Sequence, residues 1–257
     1  MMDVTRRDID YTVGGARMRG LLVAPRGASA QPAVVLMHDA FGLSEHMIAI
    51  AEELAAFGVV VFAADVWGDR TVPRTQSEIG SLIGSMAGNR SQWLARVIAA
   101  HRTASAQPEV DAERTALLGY CFGGSSALEF LRNGGRARAV LAIHPGLDLL
   151  ESDWSDARAS GVQVHLAVGS VDPMATRAQI HALEDSLTAA GADWELALYS
   201  GTTHAFTSPA SQNSPAPELF AYHARNSSRA WKATLRVLDE VFPRDIGAEP
   251  NQPHSRI

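Results

Sequence analysis

From Pro32 onward the chain alternates short, unbroken apolar runs with longer stretches of helical period, and few folds can accommodate that alternation. The runs occupy 33–37, 59–64, 115–118, 139–143, 162–168 and 195–199. A run that is apolar at nearly every position has no face to give to water, so it reads as a strand covered on both sides. Strands of that kind separated by helical segments build a parallel sheet through crossover connections. A hairpin stands ahead of them, with Tyr11, Thr12 and Val13 on one arm, Gly14-Gly15 at the turn and 18–23 on the other. Counting the hairpin, about eight strands are expected.

The gaps carry helical stripes. Met47, Ile50, Leu54 and Phe57 lie on one face, with Gly58 where a C-terminal cap belongs. Leu128 and Leu131 continue a helix that Gly134-Gly135 would stop. Ile180, Leu183 and Leu187 share a face, with Pro173 placed to start their helix and Gly191 to end it. Trp231, Leu235, Leu238 and Phe242 follow the cap candidates Asn226, Ser227 and Ser228. Residues 73–106 read as helix in pieces because Gly80, Gly84 and Gly88 interrupt the pattern. The Ser-, Pro- and Asn-rich stretch 207–217 reads as a surface loop. No repeat or composition shift marks a linker, so 1–242 is expected to be one domain, with 243–257 a polar, poorly ordered tail.

Composition narrows the function classes. Of 257 residues, 46% are hydrophobic and 19% charged, enough apolar surface for a full core. A net charge of −6 provides no basic field for nucleic acid or anionic lipid. The charged N-terminus lacks the apolar stretch of a secretory signal, and the run 59–64 is far short of the roughly 20 residues that span a bilayer. A single cysteine, Cys121, rules out an internal disulfide and a thiolate-rich zinc site within one chain. These features point to a cytoplasmic protein with no nucleic-acid or membrane partner, and leave monomer and dimer both open.

Cys121 stands in Gly119-Tyr120-Cys121-Phe122-Gly123, directly after a strand and ahead of a helix. A nucleophile elbow has this form: a tight strand-to-helix turn lifts the reactive side chain above the sheet, with small residues on both sides. The helix N-terminus would supply partial positive charge to a thiolate and free N–H groups to an oxyanion. An inert core thiol is the competing interpretation, since free cysteine is commonly buried. The partners decide between them. In this architecture the acid and the histidine follow the nucleophile, each on a loop after a later strand. Asp172 follows the 162–168 run, where it could also cap a helix, and His204 follows the last run in Thr203-His204-Ala205-Phe206. The loop Met37-His38-Asp39-Ala40-Phe41-Gly42-Leu43 follows an early strand, so the Ala40 N–H would pair with that of Phe122 as oxyanion donor. Asp39 would put a carboxylate near the thiol, and His38 reads as a structural histidine bonding a neighbouring loop.

Four pieces of the chain, His38-Asp39-Ala40-Phe41-Gly42, Gly119-Tyr120-Cys121-Phe122-Gly123-Gly124, Gly169-Ser170-Val171-Asp172-Pro173 and Thr203-His204-Ala205-Phe206, resemble the dienelactone hydrolases over about 32–242. The resemblance implies an α/β-hydrolase fold: one domain with a mostly parallel central sheet flanked by helices. It also implies a triad of Cys121, Asp172 and His204 and a cofactor-free hydrolase of small esters or lactones working through a thioester. Asp39 stands where the family has a glutamate that steers the thiol. The two arginines that hold the substrate carboxylate would fall at Asp69 and Ser208, with Arg70 one place off; Arg70 and Trp67 are candidate substrate contacts. Dienelactone itself is therefore not the expected substrate. A non-catalytic ligand-binding protein, or an acyltransferase or peptidase on the same triad, would keep the same residues.

Overall fold

A computed structural model describes residues 3–243; the expected tail beyond 243 lies outside the described residues. The strands are β1 (Val4–Val13), β2 (Ala16–Pro25), β3 (Gln31–Met37), β4 (Val60–Ala64), β5 (Val110–Tyr120), β6 (Ala139–Ile143), β7 (Gln163–Gly169) and β8 (Asp193–Tyr199). They form one sheet in the order β1-β2-β4-β3-β5-β6-β7-β8. The hairpin β1/β2 is antiparallel, as is the β2–β4 pair; every pairing from β4 to β8 is parallel. The expected mostly parallel sheet of about eight strands is thus observed.

The continuous apolar runs serve two cores, as period-two geometry requires. Val35, Met37, Phe62 and Leu117 pack on one face beneath α3 (Arg90–Ser105), α4 (Phe122–Arg132) and α5 (Arg177–Ala189). Val34, Leu36, Val61 and Leu118 pack on the other beneath α1 (Glu45–Phe57) and α6 (Ala224–Val241). Gly58, at φ 114°, caps α1 in the left-handed conformation expected of it.

Local starts differ from the sequence expectation where a side chain offers a better cap. Pro173 does not begin α5; Thr176 does, through a reciprocal capping box with Gln179. His223 caps α6, accepting from the Asn226 N–H, so Asn226, Ser227 and Ser228 fall inside the helix. The helix in pieces is two helices, α2 (Gln76–Gly88) and α3, broken at Asn89, whose side chain caps the second. The 207–217 loop contains a turn of 3₁₀ helix at Pro209–Asn213. Among the described residues no helix is long and apolar enough to cross a membrane.

Candidate active site

Cys121 sits between the end of β5 and the first residue of α4, at φ 52° and ψ −118°. A side chain in that region is strained by about 1–3 kcal/mol, a cost that nucleophile elbows carry to expose the reactive atom. The backbone crossing explains the flanking glycines. A Cβ on Gly119 would lie 2.0 Å from the Gly123 carbonyl oxygen, and one on Gly123 would lie 2.2 Å from that of Met37. The turn is also tied to the next strand, since the Cys121 N–H donates to the Ile143 carbonyl at 3.0 Å.

The structure brings His204 and Asp172 to this thiol. His204 Nε2 lies 3.1 Å from Cys121 Sγ, and its Nδ1 lies 2.8 Å from Asp172 Oδ2. The other Asp172 oxygen accepts the Met174 N–H at 2.8 Å, so one carboxylate both orients the imidazole and holds its own loop. His204 is fully buried. Burial alone would push its pKa down. The facing Cys121 charge and the hydrogen bonds to Asp172 and Cys121 outweigh burial and raise it to about 10. An imidazole in that setting readily takes the thiol proton.

Ala40, on the loop after β3, and Phe122, at the start of α4, line one cavity with Cys121 and His204. The Phe122 N–H belongs to the first helical turn, which has no acceptor within its helix. An aromatic column stands behind both residues. The Phe122 ring stacks on Trp93 at 4.9 Å and meets Trp67 at 4.4 Å, and Trp67 Nε1 donates to the Ala40 carbonyl at 3.3 Å. Trp67 is therefore placed beneath the loop rather than in the cavity lining. His38 is structural as expected: its Nε2 accepts the Val66 N–H at 3.0 Å, and its Nδ1 meets the Asp39 carbonyl at 2.7 Å.

Arg70 is not brought to the site. Its guanidinium is held by Asp8 at 2.7 Å and by the Gly20 and Arg19 carbonyls at 2.9 and 3.1 Å, over the antiparallel hairpin. Ser208 does line the cavity, and no lysine or arginine lines it among the described residues. The cavity holds about 300 Å³. Sequence reasoning missed part of its wall. Ile79 and Ile83 come from α2, Met174 from the acid loop, and Phe220 from the segment bridged to His204. His144 was missed too. It sits at φ 38° just past β6, its ring edge-on to His204 at 5.2 Å and its Nε2 2.8 Å from Thr207 Oγ1. An apolar run ending in His144-Pro145-Gly146, just past a strand as Cys121, Asp172 and His204 are, was the available signal. Among the described residues no group of three His, Cys, Asp or Glu side chains is placed to hold a metal ion.

Asp39 lines the cavity and is only 6% exposed. Burial lifts its carboxyl from the ordinary 3.8 to about 6, partly offset by the Phe41 N–H it accepts at 2.9 Å. The folded state thus holds this proton more tightly than the unfolded chain does, and stability is lost as pH rises from about 4 through about 6. Asp39→Asn removes that loss. The variant is expected to be more stable than wild type by about 2–3 kcal/mol at pH 7.5 and equal to it near pH 3.5. Urea unfolding at the two pH values measures this, and a gain independent of pH would contradict it.

The sequence profile of the dienelactone hydrolase family matches residues 18–242. The crystal structure of a dienelactone hydrolase-like promiscuous phosphotriesterase from metagenomic libraries is 33% identical, with a TM-score of 0.87 over 93% of this chain and 99% of that one. An uncharacterized Caenorhabditis elegans protein is 30% identical over 149 residues, 57% of this chain and 92% of its own length. The dienelactone hydrolase of Anabaena variabilis shares the fold at 20% identity, with a TM-score of 0.60 over 93% of this chain and 97% of that one. With a profile match running from the second strand to the end of the last helix, the chain belongs to the dienelactone hydrolase family.

Proposed function

We propose that this carboxylic ester hydrolase cleaves small esters or lactones with Cys121 as nucleophile, His204 as general base and acid, and Asp172 as the group that orients the imidazole. The observation that carries the proposal is the unbroken relay from Cys121 Sγ through His204 to Asp172, with links of 3.1 and 2.8 Å. His204 Nε2 takes the thiol proton as the sulfur attacks the carbonyl carbon. The tetrahedral oxyanion then lies against the Ala40 and Phe122 N–H groups. As the C–O bond breaks, His204 returns the proton to the leaving alcohol and a thioester remains on Cys121. Water then gives a proton to His204 and attacks the thioester, the C–S bond breaks, and the acid leaves with the thiol restored. Asp39, which lines the same cavity as this thiol, is a candidate steering group.

Acid quenching during turnover of nitrophenyl acetate, followed by peptide mass analysis, tests the scheme. One acetyl group is expected on Cys121, in lower occupancy in His204→Ala; acetyl on another side chain, or on none, refutes the thioester. A second reaction is supported by the 33%-identical phosphotriesterase neighbour: a neutral phosphotriester carries no charge to be matched by a lysine or arginine, and none lines the cavity among the described residues. Its test is release of nitrophenol from a dialkyl nitrophenyl phosphate that depends on Cys121.

A further inference from the structure

The cavity above Cys121 does not end at its mouth. Asp39, Phe41, Ser208 and Ala210 line both it and a second, larger groove of about 510 Å³. That groove is floored by apolar side chains: Phe41, Leu43, Val72, Pro209 and Ala210. Among the described residues only four large hydrophobics are exposed, and two of them, Phe41 at 37% and Val72 at 47%, lie here. Apolar side chains left open to water beside a reactive site are a feature of ligand clefts. Among the described residues the ionisable groups facing the groove are Asp39, Glu45 and His46, the last pushed down by burial and so neutral at pH 7, and no lysine or arginine lines it.

We propose that this outer groove is the leaving-group subsite and that the enzyme prefers esters of uncharged, apolar alcohols with small acyl groups. The proposal rests on the Cys121 mechanism above. Cys121 and His204 line only the inner chamber, so the carbonyl and one substituent belong there, and the neck residues lead the other substituent outward. The acyl group stays through thioester hydrolysis, whereas the alcohol departs first. An alcohol in the open groove leaves by the path that the hydrolytic water then takes; a long acyl chain in the same place would obstruct it. The carboxylates in the lining, Asp39 and Glu45, with no lysine or arginine among the described lining residues, disfavour an anionic alcohol portion.

The test compares alkyl acetates, whose alcohols are leaving groups of nearly equal strength. Hexyl acetate should exceed ethyl acetate in kcat/KM by on the order of tenfold, from apolar burial of the longer chain. Replacing the terminal methyl of that chain by a carboxylate, as in 6-acetoxyhexanoate, should cancel the gain. Lengthening the acyl group in ethyl hexanoate should bring no gain over ethyl acetate. Val72→Asp, at an exposed position where folding is not at stake, and Phe41→Ala should each bring the hexyl-to-ethyl ratio toward one. If Cys121-dependent turnover of ethyl acetate is present but the ratio is near one, follows the acyl chain, or survives both variants, the subsite is wrong and the mechanism stands. If no ester is turned over, both fall.

Discussion

Cys121→Ala is expected to lower kcat for nitrophenyl acetate by about 10⁴-fold or more, with the folded structure unchanged. Removing Sγ takes away the atom that bonds to carbon and leaves only whatever the oxyanion donors and the cavity do for attack by water. His204→Ala should fall nearly as far, because a thiol without its base 3.1 Å away must ionise unaided. The double variant should be no worse than either alone, since the two side chains act as one unit and cannot be lost twice. Asp172→Asn should cost about 10³–10⁴-fold by presenting an amide to Nδ1 and favouring the wrong tautomer. Circular dichroism of each variant guards against unfolding. A Cys121→Ala protein within tenfold of wild type would end the covalent mechanism.

Gly123→Ala is expected to cost about 3 kcal/mol of stability or more. The added methyl would point at the carbonyls of Met37 and His38, 2.2 and 2.6 Å away. Those are backbone atoms at the end of a central strand, so neither side can yield by a change of rotamer. For a chain of this length the loss corresponds to a fall in Tm of about 10 °C. Gly80→Ala is the control. It lies in α2 with nothing within 4 Å of an added Cβ, and should raise stability by about 0.5–1 kcal/mol through helix propensity. A calorimetric scan of the two variants should move in opposite directions; a Gly123→Ala protein melting like wild type would mean that the β3–α4 contact is not so close.

The features legible in the sequence were those written in local pattern. The six apolar runs became parallel strands because a run without polar alternation has no other place to go, and Cys121 stood out through its glycine neighbours. Asp172 and His204 could be located because each follows a recognisable strand. The remainder of the site depends on which distant segments meet. Ile79 and Ile83 enter the wall only because α2 folds over the cavity, and an interrupted helix in a sequence gives no direction. Arg70 looked available as a substrate cation because its neighbours along the chain do not reveal that Asp8, 62 residues earlier, captures it. His144 was invisible for a similar reason: its significance comes from His204 lying edge-on to it, a contact between segments that follow separate strands. The caps failed more mildly: a side chain three residues from the expected start made the capping hydrogen bond instead, Thr176 rather than Pro173 and His223 rather than Asn226.

Trp67 touches both halves of the proposed oxyanion site, its ring against Phe122 and its Nε1 on the Ala40 carbonyl, although those residues lie on different loops. Two donors on independent loops would fluctuate separately, and the gap between them would breathe with the sum of both motions. A shared indole would couple their displacements, so that the separation of the two N–H groups would be steadier than the position of either. Preorganisation of that kind resides in a side chain that need never meet the substrate.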